Sequence, residues 1–166
     1  RPALELYALI EEGRVLKIMR QPEKALGIAL DLGSTSLFAA LLDLVSGETL
    51  AVASGNNMQR VYGADILTRV AYCLENENGR HELQRVLINN LNSMVEEMLS
   101  QTGTSEDGIL RYTVAGNPVM LHLFAGLNVA GFAAAPYSGV FRDALAFPAP
   151  EAHRGKGTGS FKIRPS

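Results

Sequence analysis

Residues 27–36 read GIALDLGSTS and decide the fold class. A mostly apolar run leads to Asp31, and Gly33 is followed by the hydroxyl residues Ser34, Thr35 and Ser36. A sharp turn out of a strand presents backbone N–H groups on one side, and glycine lets an anion approach closely. Asp31 can hold a hydrated Mg²⁺ that bridges phosphates. These residues suit a nucleotide polyphosphate. On them alone, an ordinary hairpin turn with Asp31 bonded to nearby backbone N–H groups is an equal alternative.

The apolar pattern around this stretch predicts strands and helices in a definite order. Three strands joined by tight turns come first and predict an antiparallel meander. Two helices with apolar residues at i, i+3, i+4 and i+7, a fourth strand and a proline-initiated helix follow. The predicted elements cover 25–32, 35–44 and 48–55 (strands), 64–74 and 80–100 (helices), 109–115 (strand) and 118–125 (helix). This order, β-β-β-α-α-β-α, predicts an α/β fold with a mixed sheet, because the meander departs from strict β–α alternation.

The two flanks of this block are less regular. Apolar runs at 4–10 and 15–20 favour a β-hairpin, with two short helical turns as the alternative. Residues 21–24 read as a linker. After Gly126 the chain is rich in loops, and SFKIR near the end predicts a last strand. The glycine-rich run at 155–159 fails the P-loop pattern, because neither the earlier glycine nor the Ser or Thr after the GK pair is present.

Composition excludes several classes of function. The 166 residues suggest one domain, and a net charge of −2 with scattered basic residues predicts no nucleic-acid partner. The single cysteine, Cys73, excludes a disulfide within the chain and a cysteine-only iron–sulfur site built from it. We expect Cys73 to be a buried thiol on a helix. No apolar run is long enough for a membrane span and no signal peptide is visible, so a cytoplasmic location is the default expectation.

Other catalytic constellations are missing from the sequence. The histidines, His81, His122 and His153, form no pair with metal-ligand spacing, so a zinc site is not expected. No G-x-S-x-G motif is present, so a serine hydrolase is not indicated.

Three stretches together resemble one family. They are GIALDLGSTS at 27–36, NNMQRVYGADILTRV at 56–70 and VAGNPVMLHLFAGLNVAGFAAAPY at 114–137. The first is similar to the first phosphate motif of the actin, sugar-kinase and heat-shock-chaperone superfamily. Within that superfamily, residues 25–141 resemble the ATPase domain of the reductive activators of corrinoid proteins.

This resemblance implies a fold, cofactors and partners. It implies a ribonuclease-H-like, actin-like ATPase subdomain that binds ATP and Mg²⁺. The activators transfer an electron from an iron–sulfur domain that holds a two-iron two-sulfur cluster. The acceptor is a corrinoid protein or a corrinoid-dependent methyltransferase in its inactive cobalt(II) state. ATP hydrolysis supplies the free energy.

The resemblance also implies roles for particular residues. Asp31 would hold Mg²⁺ through water, and residues 33–36 would contact the phosphates. Gly116 and Asn117 would contribute to the cofactor site. Gln59 and Asp65 would lie near the nucleotide as further catalytic groups, together with Asp31.

The chain also departs from the family pattern. GSTS replaces the usual three threonines, and NMQ replaces the usual NPQ. A second phosphate motif and the four-cysteine cluster motif are not found. The chain begins at Arg1, and we expect a piece of a longer protein: 1–24 as the end of a linker domain, and 25–166 as the first subdomain. We therefore expect the chain alone to bind ATP poorly or not at all. The alternatives are a sugar or small-acid kinase, or a non-catalytic actin-like assembly module that makes homodimer or partner contacts.

Overall fold

The computed structural model describes residues 5–11, 13–20 and 24–141. The strands and helices occur in the predicted order. The strands are β1 (Tyr7–Glu11), β2 (Arg14–Met19), β3 (Leu26–Leu32), β4 (Ser36–Asp43), β5 (Thr49–Asn56) and β6 (Ile109–Gly116). The helices are α1 (Ile66–Glu75), α2 (Gly79–Thr102) and α3 (Pro118–Phe124), with short 3₁₀ turns at Met58–Val61, Glu106–Gly108 and Ala130–Phe132.

Strands β3 to β6 form one sheet in the order β5-β4-β3-β6. The pairs β3–β4 and β4–β5 are antiparallel, whereas β6 runs parallel to β3. This arrangement confirms the predicted meander and the predicted mixed α/β sheet. Because β3 and β6 are parallel neighbours, their carboxyl ends lie side by side, and Leu32 pairs with Gly116 there.

The helices cover one face of this sheet. Alternate residues of β3, from Leu26 to Leu32, are buried, and the residues between them face the other side. Helix α2 lies across β4 and β5 and packs on α1 and α3. It contributes to the core the apolar stripe that its sequence predicts, namely Leu83, Leu87, Leu91, Met94, Val95 and Met98. The helix ends where Gly103 adopts the left-handed conformation, with φ of +62°.

Helix α1 buries part of the apolar set that its helical spacing predicts, which is Ile66, Leu67, Val70, Ala71 and Leu74. The apolar residues Leu67 and Leu74 are more than half exposed. The buried residues of α1 are Arg69 and Val70, with Ile66 and Cys73 packed at the edge of the core. The apolar spacing alone therefore predicted the core contacts of Ile66 and Val70 but not the burial of Arg69, which faces the hairpin loop.

The first two strands form the antiparallel hairpin that the sequence favoured, and the alternative of two helical turns is wrong. Gly13, with φ of +79°, makes its turn. The predicted strand at 160–164, the glycine-rich run at 155–159 and most of the predicted linker lie outside the described residues. Within the described part of the chain, no helix is both long enough and apolar enough to cross a membrane.

Candidate functional site

The connection between β3 and β4, residues 33–35, is a tight hairpin loop. A Cβ at Gly33 would collide with the Ser36 carbonyl oxygen, so the loop requires glycine there. Asp31 lies on the face of the sheet that the helices leave open and is exposed, as are Thr35 and Ser36. A carboxylate and hydroxyl groups are thus presented to solvent at the carboxyl end of β3.

The connection between β6 and α3 lies directly beside this loop. Asp31 pairs with Ala115 and Leu32 with Gly116. A Cβ at Gly116 would lie 3.0 Å from both Cβ and the carbonyl oxygen of Leu32, so glycine permits the close approach. Asn117 caps α3 by accepting a hydrogen bond from the Met120 amide at 3.0 Å. The structure therefore brings Gly116 and Asn117 together with residues 31–36.

A buried arginine lies behind the hairpin loop. Arg69 has no exposed surface. Its guanidinium donates to the Ser34 carbonyl oxygen (2.5 Å), the Gly63 carbonyl oxygen (3.0 Å) and Oε1 of Gln59 (3.3 Å). It also contacts Sδ of Met120 at 3.5 Å. Burial lowers the pKa of Arg69 and the nearby Asp65 carboxylate raises it, but arginine stays protonated in proteins.

Two buried amide side chains complete this network. Nδ2 of Asn57 donates to the Gly33 carbonyl oxygen (2.9 Å) and lies 3.3 Å from Oε1 of Gln59. The Asn57 backbone N–H donates to the Thr35 carbonyl oxygen (2.8 Å). Nε2 of Gln59 donates to the Leu83 carbonyl oxygen of α2 (2.9 Å). Both side chains are fully buried, so the network ties the loop to α1 and α2 beneath the surface.

Gln59 and Asp65, the two residues predicted to lie near the nucleotide, occupy different surroundings. Gln59 is enclosed in the network just described. Asp65 is exposed and caps α1, accepting from the Thr68 amide at 2.9 Å while Oγ1 of Thr68 accepts from the Asp65 amide at 3.2 Å. The hydrogen bond from the Thr68 amide holds the pKa of Asp65 below its ordinary value of 3.8. Neither side chain forms a described hydrogen bond to residues 31–36, and their predicted catalytic roles stay predictions.

The sequence interpretation overlooked Arg69 and did not place Asn57 in the site. The only signal for Arg69 was a charged residue next to the apolar Val70 in a predicted helix. The signal for Asn57 was its position at the end of a strand, in the quoted NNMQ run. Such residues look like solvated surface groups until tertiary structure buries them.

His122 holds the end of the described chain against α3. Its ring is fully buried, with Nδ1 2.6 Å from the Pro118 carbonyl oxygen. Nε2 accepts from the Val140 amide at 2.8 Å, and the ring stacks on Phe141 with centroids 4.4 Å apart. With both ring nitrogens bonded inside the protein, His122 acts as a packing residue for the 139–141 segment.

Cys73 is the half-buried thiol of α1. Burial raises its pKa to about 11. This pKa favours the thiol form of Cys73 near neutral pH, whereas thiolates are the reactive form of cysteine.

The fold and site define an α/β protein with an exposed carboxylate and hydroxyl groups at one end of a mixed sheet. Comparison with known proteins narrows this class. The model of the family described as RACo middle region matches residues 26–156, which is most of the chain. The chain belongs to this family, and the predicted family resemblance is confirmed.

Two individual relatives are consistent with this assignment. The corrinoid activation enzyme RamQ of Eubacterium limosum is 28% identical over 143 residues, covering 84% of this chain and 24% of the relative. A solved reductive activator for corrinoid, iron-sulfur protein aligns with a TM-score of 0.72 and 29% identity, covering 76% of this chain and 20% of that one. The chain therefore spans about a quarter of the first relative and a fifth of the second.

Proposed function

We propose that this chain contributes one side of an ATP site in a reductive activator of a corrinoid protein. The observation that carries the proposal is the meeting of Asp31, residues 33–36 and Gly116–Asn117 at one edge of the sheet. The names of the two relatives support the activator role. The sheet order, with three antiparallel strands and a fourth strand parallel to the first, supports a ribonuclease-H-like, actin-like subdomain.

The residues at this edge fit Mg²⁺ and a polyphosphate. Mg²⁺ prefers oxygen ligands and keeps several of its waters, which suits the exposed carboxylate of Asp31. Hydroxyl groups at Thr35 and Ser36 and the open backbone of Gly33 suit phosphate oxygens. ATP would supply the free energy for an uphill electron transfer when bound. The residues of this chain would bind and orient its phosphates.

In this proposal Gln59 and Asp65 have structural roles and do not contact the nucleotide. Gln59 is fully buried and bonded to α2, so it would shape the loop from behind and not touch the nucleotide. Asp65 would fix the start of α1, the helix that carries Arg69. Neither role requires contact with ATP.

The electron source and acceptor would be other parts of the system. A four-cysteine cluster site cannot be built from Cys73 alone, so a two-iron cluster would be held by residues outside this sequence. The acceptor would be a corrinoid protein or a corrinoid-dependent methyltransferase in its cobalt(II) state. Because one side of the site would come from elsewhere, the 166 residues alone should bind ATP weakly.

Calorimetric titration of the complete natural protein with Mg²⁺·ATP tests the ATP site. Wild type should bind, and Asp31→Asn should weaken binding by about tenfold or more, as expected for loss of a charge-assisted contact. Glu97→Gln, which alters an exposed carboxylate on α2, is the control and should bind like wild type. Asp31→Asn with wild-type affinity would contradict the proposed site.

Absorbance spectroscopy tests the activator role. With a low-potential electron donor, the complete protein should convert a cobalt(II) corrinoid protein to its one-electron-reduced cobalt(I) form only when ATP is present. Phosphorylation of an added sugar or small acid, without any change in the corrinoid spectrum, would favour a kinase instead.

A further inference from the structure

Three successive carbonyl groups of the hairpin loop are bonded to the buried network. The Gly33 and Thr35 carbonyl oxygens accept from the side chain and the backbone of Asn57, respectively. The Ser34 carbonyl oxygen accepts from Arg69. Because Arg69 and Asn57 share contacts with Gln59 and Met120, the Gly33 and Ser34 carbonyls are held from the same side.

This arrangement fixes the direction of two N–H groups. In a planar trans peptide, the carbonyl of one residue and the N–H of the next point in opposite directions. The described chain has its cis peptide at Ala135–Pro136, and the loop peptides are trans. The N–H groups of Ser34 and Thr35 therefore point away from the network, to the opposite side of the loop.

The charge of Arg69 is a second observation. Its hydrogen bonds go to carbonyl and amide oxygens, and among the described residues it forms no ion pair with a carboxylate. Burial of a cation without a directly bonded anion is costly in free energy, and the nearby Asp65 carboxylate offsets only part of that cost. A methionine or leucine could fill the same volume without that cost, so packing alone does not account for an arginine at this position.

We propose that Arg69 is the positioning residue of the phosphate site: together with Asn57 it holds the loop backbone so that the Ser34 and Thr35 N–H groups face a bound polyphosphate. The guanidinium also places a positive charge directly behind these N–H groups, where it favours an anion in front of them. Arg69 touches no ligand itself. The inference rests on the proposed ATP site and adds the residue that organises it.

Arginine is needed because of its shape as well as its charge. Its planar guanidinium reaches the Ser34, Gly63 and Gln59 oxygens at once. A lysine ammonium has the charge but not the rigid fork that spans several acceptors. Arg69→Lys therefore separates positioning from simple charge, whereas Arg69→Met removes both.

The test uses the complete natural protein and compares wild type, Arg69→Lys, Arg69→Met and Val70→Ala. Val70 is the buried neighbour on the same helix and packs in the core, so Val70→Ala is a matched control for general loss of stability. Affinities for Mg²⁺·ATP and for adenosine, which has no phosphate, are measured by calorimetry or displacement. Hydrogen exchange of the Asn57 amide, which donates to the Thr35 carbonyl oxygen, reports the state of the loop without any ligand.

Both Arg69 variants should weaken ATP binding by about tenfold or more and change adenosine binding by less than about threefold, since lost hydrogen bonds act only on the phosphate end. Exchange of the Asn57 amide should accelerate in both variants. Val70→Ala should leave the ratio of the two affinities unchanged. If the Arg69 variants lower both affinities equally, or if Arg69→Lys behaves like wild type, the inference is overturned.

If the proposed ATP site is wrong, the binding experiment gives a different result from the one that contradicts the role of Arg69. Wild type that binds no ATP would overturn the ATP site itself, and the exchange measurement would still decide whether Arg69 holds the loop. If Arg69→Met does not fold, Arg69→Lys carries the comparison. Unchanged exchange of the Asn57 amide in Arg69→Lys would then count against the inference.

Discussion

Two polar segments meet at the same edge of the sheet and orient their side chains in opposite ways. The hairpin loop and its flanks, residues 31–36, direct a carboxylate and hydroxyl groups into solvent. The segment from Asn57 to Arg69, called here the supporting segment, directs its key polar groups inward, and Asn57, Gln59 and Arg69 have no exposed surface. In sequence both look like solvated, functional stretches.

This difference in exposure indicates that the two segments have different roles in the candidate site. Exposed groups can touch a ligand, whereas fully buried groups that bond to other protein groups can only position them. The loop supplies the contacts and the supporting segment fixes their geometry. Substitutions in the supporting segment should therefore reduce stability most, and substitutions in the loop should change binding with little effect on stability.

The largest effect on stability is expected for Gln59→Leu. Leucine fills similar volume but leaves Nη1 of Arg69 and Nδ2 of Asn57 without their shared acceptor, and the Leu83 carbonyl loses a donor. Unpaired buried polar and charged groups make this substitution cost roughly 2–4 kcal/mol in the free energy of unfolding. Urea-induced unfolding followed by circular dichroism measures it.

The matched control is Gln101→Leu. Gln101 is exposed on α2, and its side chain donates to Oε1 of Glu97 on the helix surface at 3.0 Å. Its loss should change the free energy of unfolding by less than about 0.5 kcal/mol. Equal effects of the two substitutions would contradict the division between the two segments.

The fold was predictable where periodicity and turn chemistry agree. Strand β3 is a mostly apolar run that ends at a glycine turn, and α2 carries a long apolar stripe with a glycine after its end. Both features are local, so they can be read from one sequence. Helix α1 was predicted at the right place, but the burial of Arg69 was not, because Arg69 contacts residues more than thirty positions away.

The site was predictable only in part for the same reason. Residues 31–36 form a continuous motif whose chemistry is visible in sequence. Their meeting with Gly116 depends on the parallel pairing of β3 and β6, a contact between residues more than eighty positions apart. Whether Gln59 points to a ligand or into the core depends on Leu83 of α2, which no local pattern specifies.

A smaller effect, on binding alone, is expected for Thr35→Val in the loop. Valine keeps the shape and removes the exposed hydroxyl, so the free energy of unfolding should change by less than about 0.5 kcal/mol. Mg²⁺·ATP affinity of the complete protein should fall by about threefold to tenfold, the usual worth of one hydrogen bond. Calorimetry measures the affinity.

Thr49→Val is the control for this substitution. Thr49 is exposed at the opposite end of β5 from the loop, so its loss should leave ATP affinity unchanged. If Thr35→Val lowers the free energy of unfolding but leaves the ATP affinity unchanged, the Thr35 hydroxyl stabilises the loop and does not contact the nucleotide.

The smallest effect is a pH dependence at Asp65, which lies in the supporting segment but is exposed. Its pKa is lowered in the folded protein, chiefly by the Thr68 amide, from an ordinary value of 3.8. A carboxyl group with a lowered folded pKa stabilises the protein above its unfolded pKa and loses that effect as the pH falls through its folded pKa. Asp65→Ala should thus have a lower urea midpoint than wild type near neutral pH, and the difference should shrink as the pH falls below 3.8.

Asp65→Asn separates capping from catalysis at this position. Asparagine is as good an N-cap as aspartate but carries no charge. If Asp65 acts as a cap, Asp65→Asn should keep most of the wild-type stability at neutral pH, vary less with pH, and hydrolyse ATP in the complete protein at nearly the wild-type rate. If Asp65 is a catalytic carboxylate, Asp65→Asn should retain the stability and lose the hydrolysis. That result would move Asp65 from the positioning residues to those that act on the nucleotide.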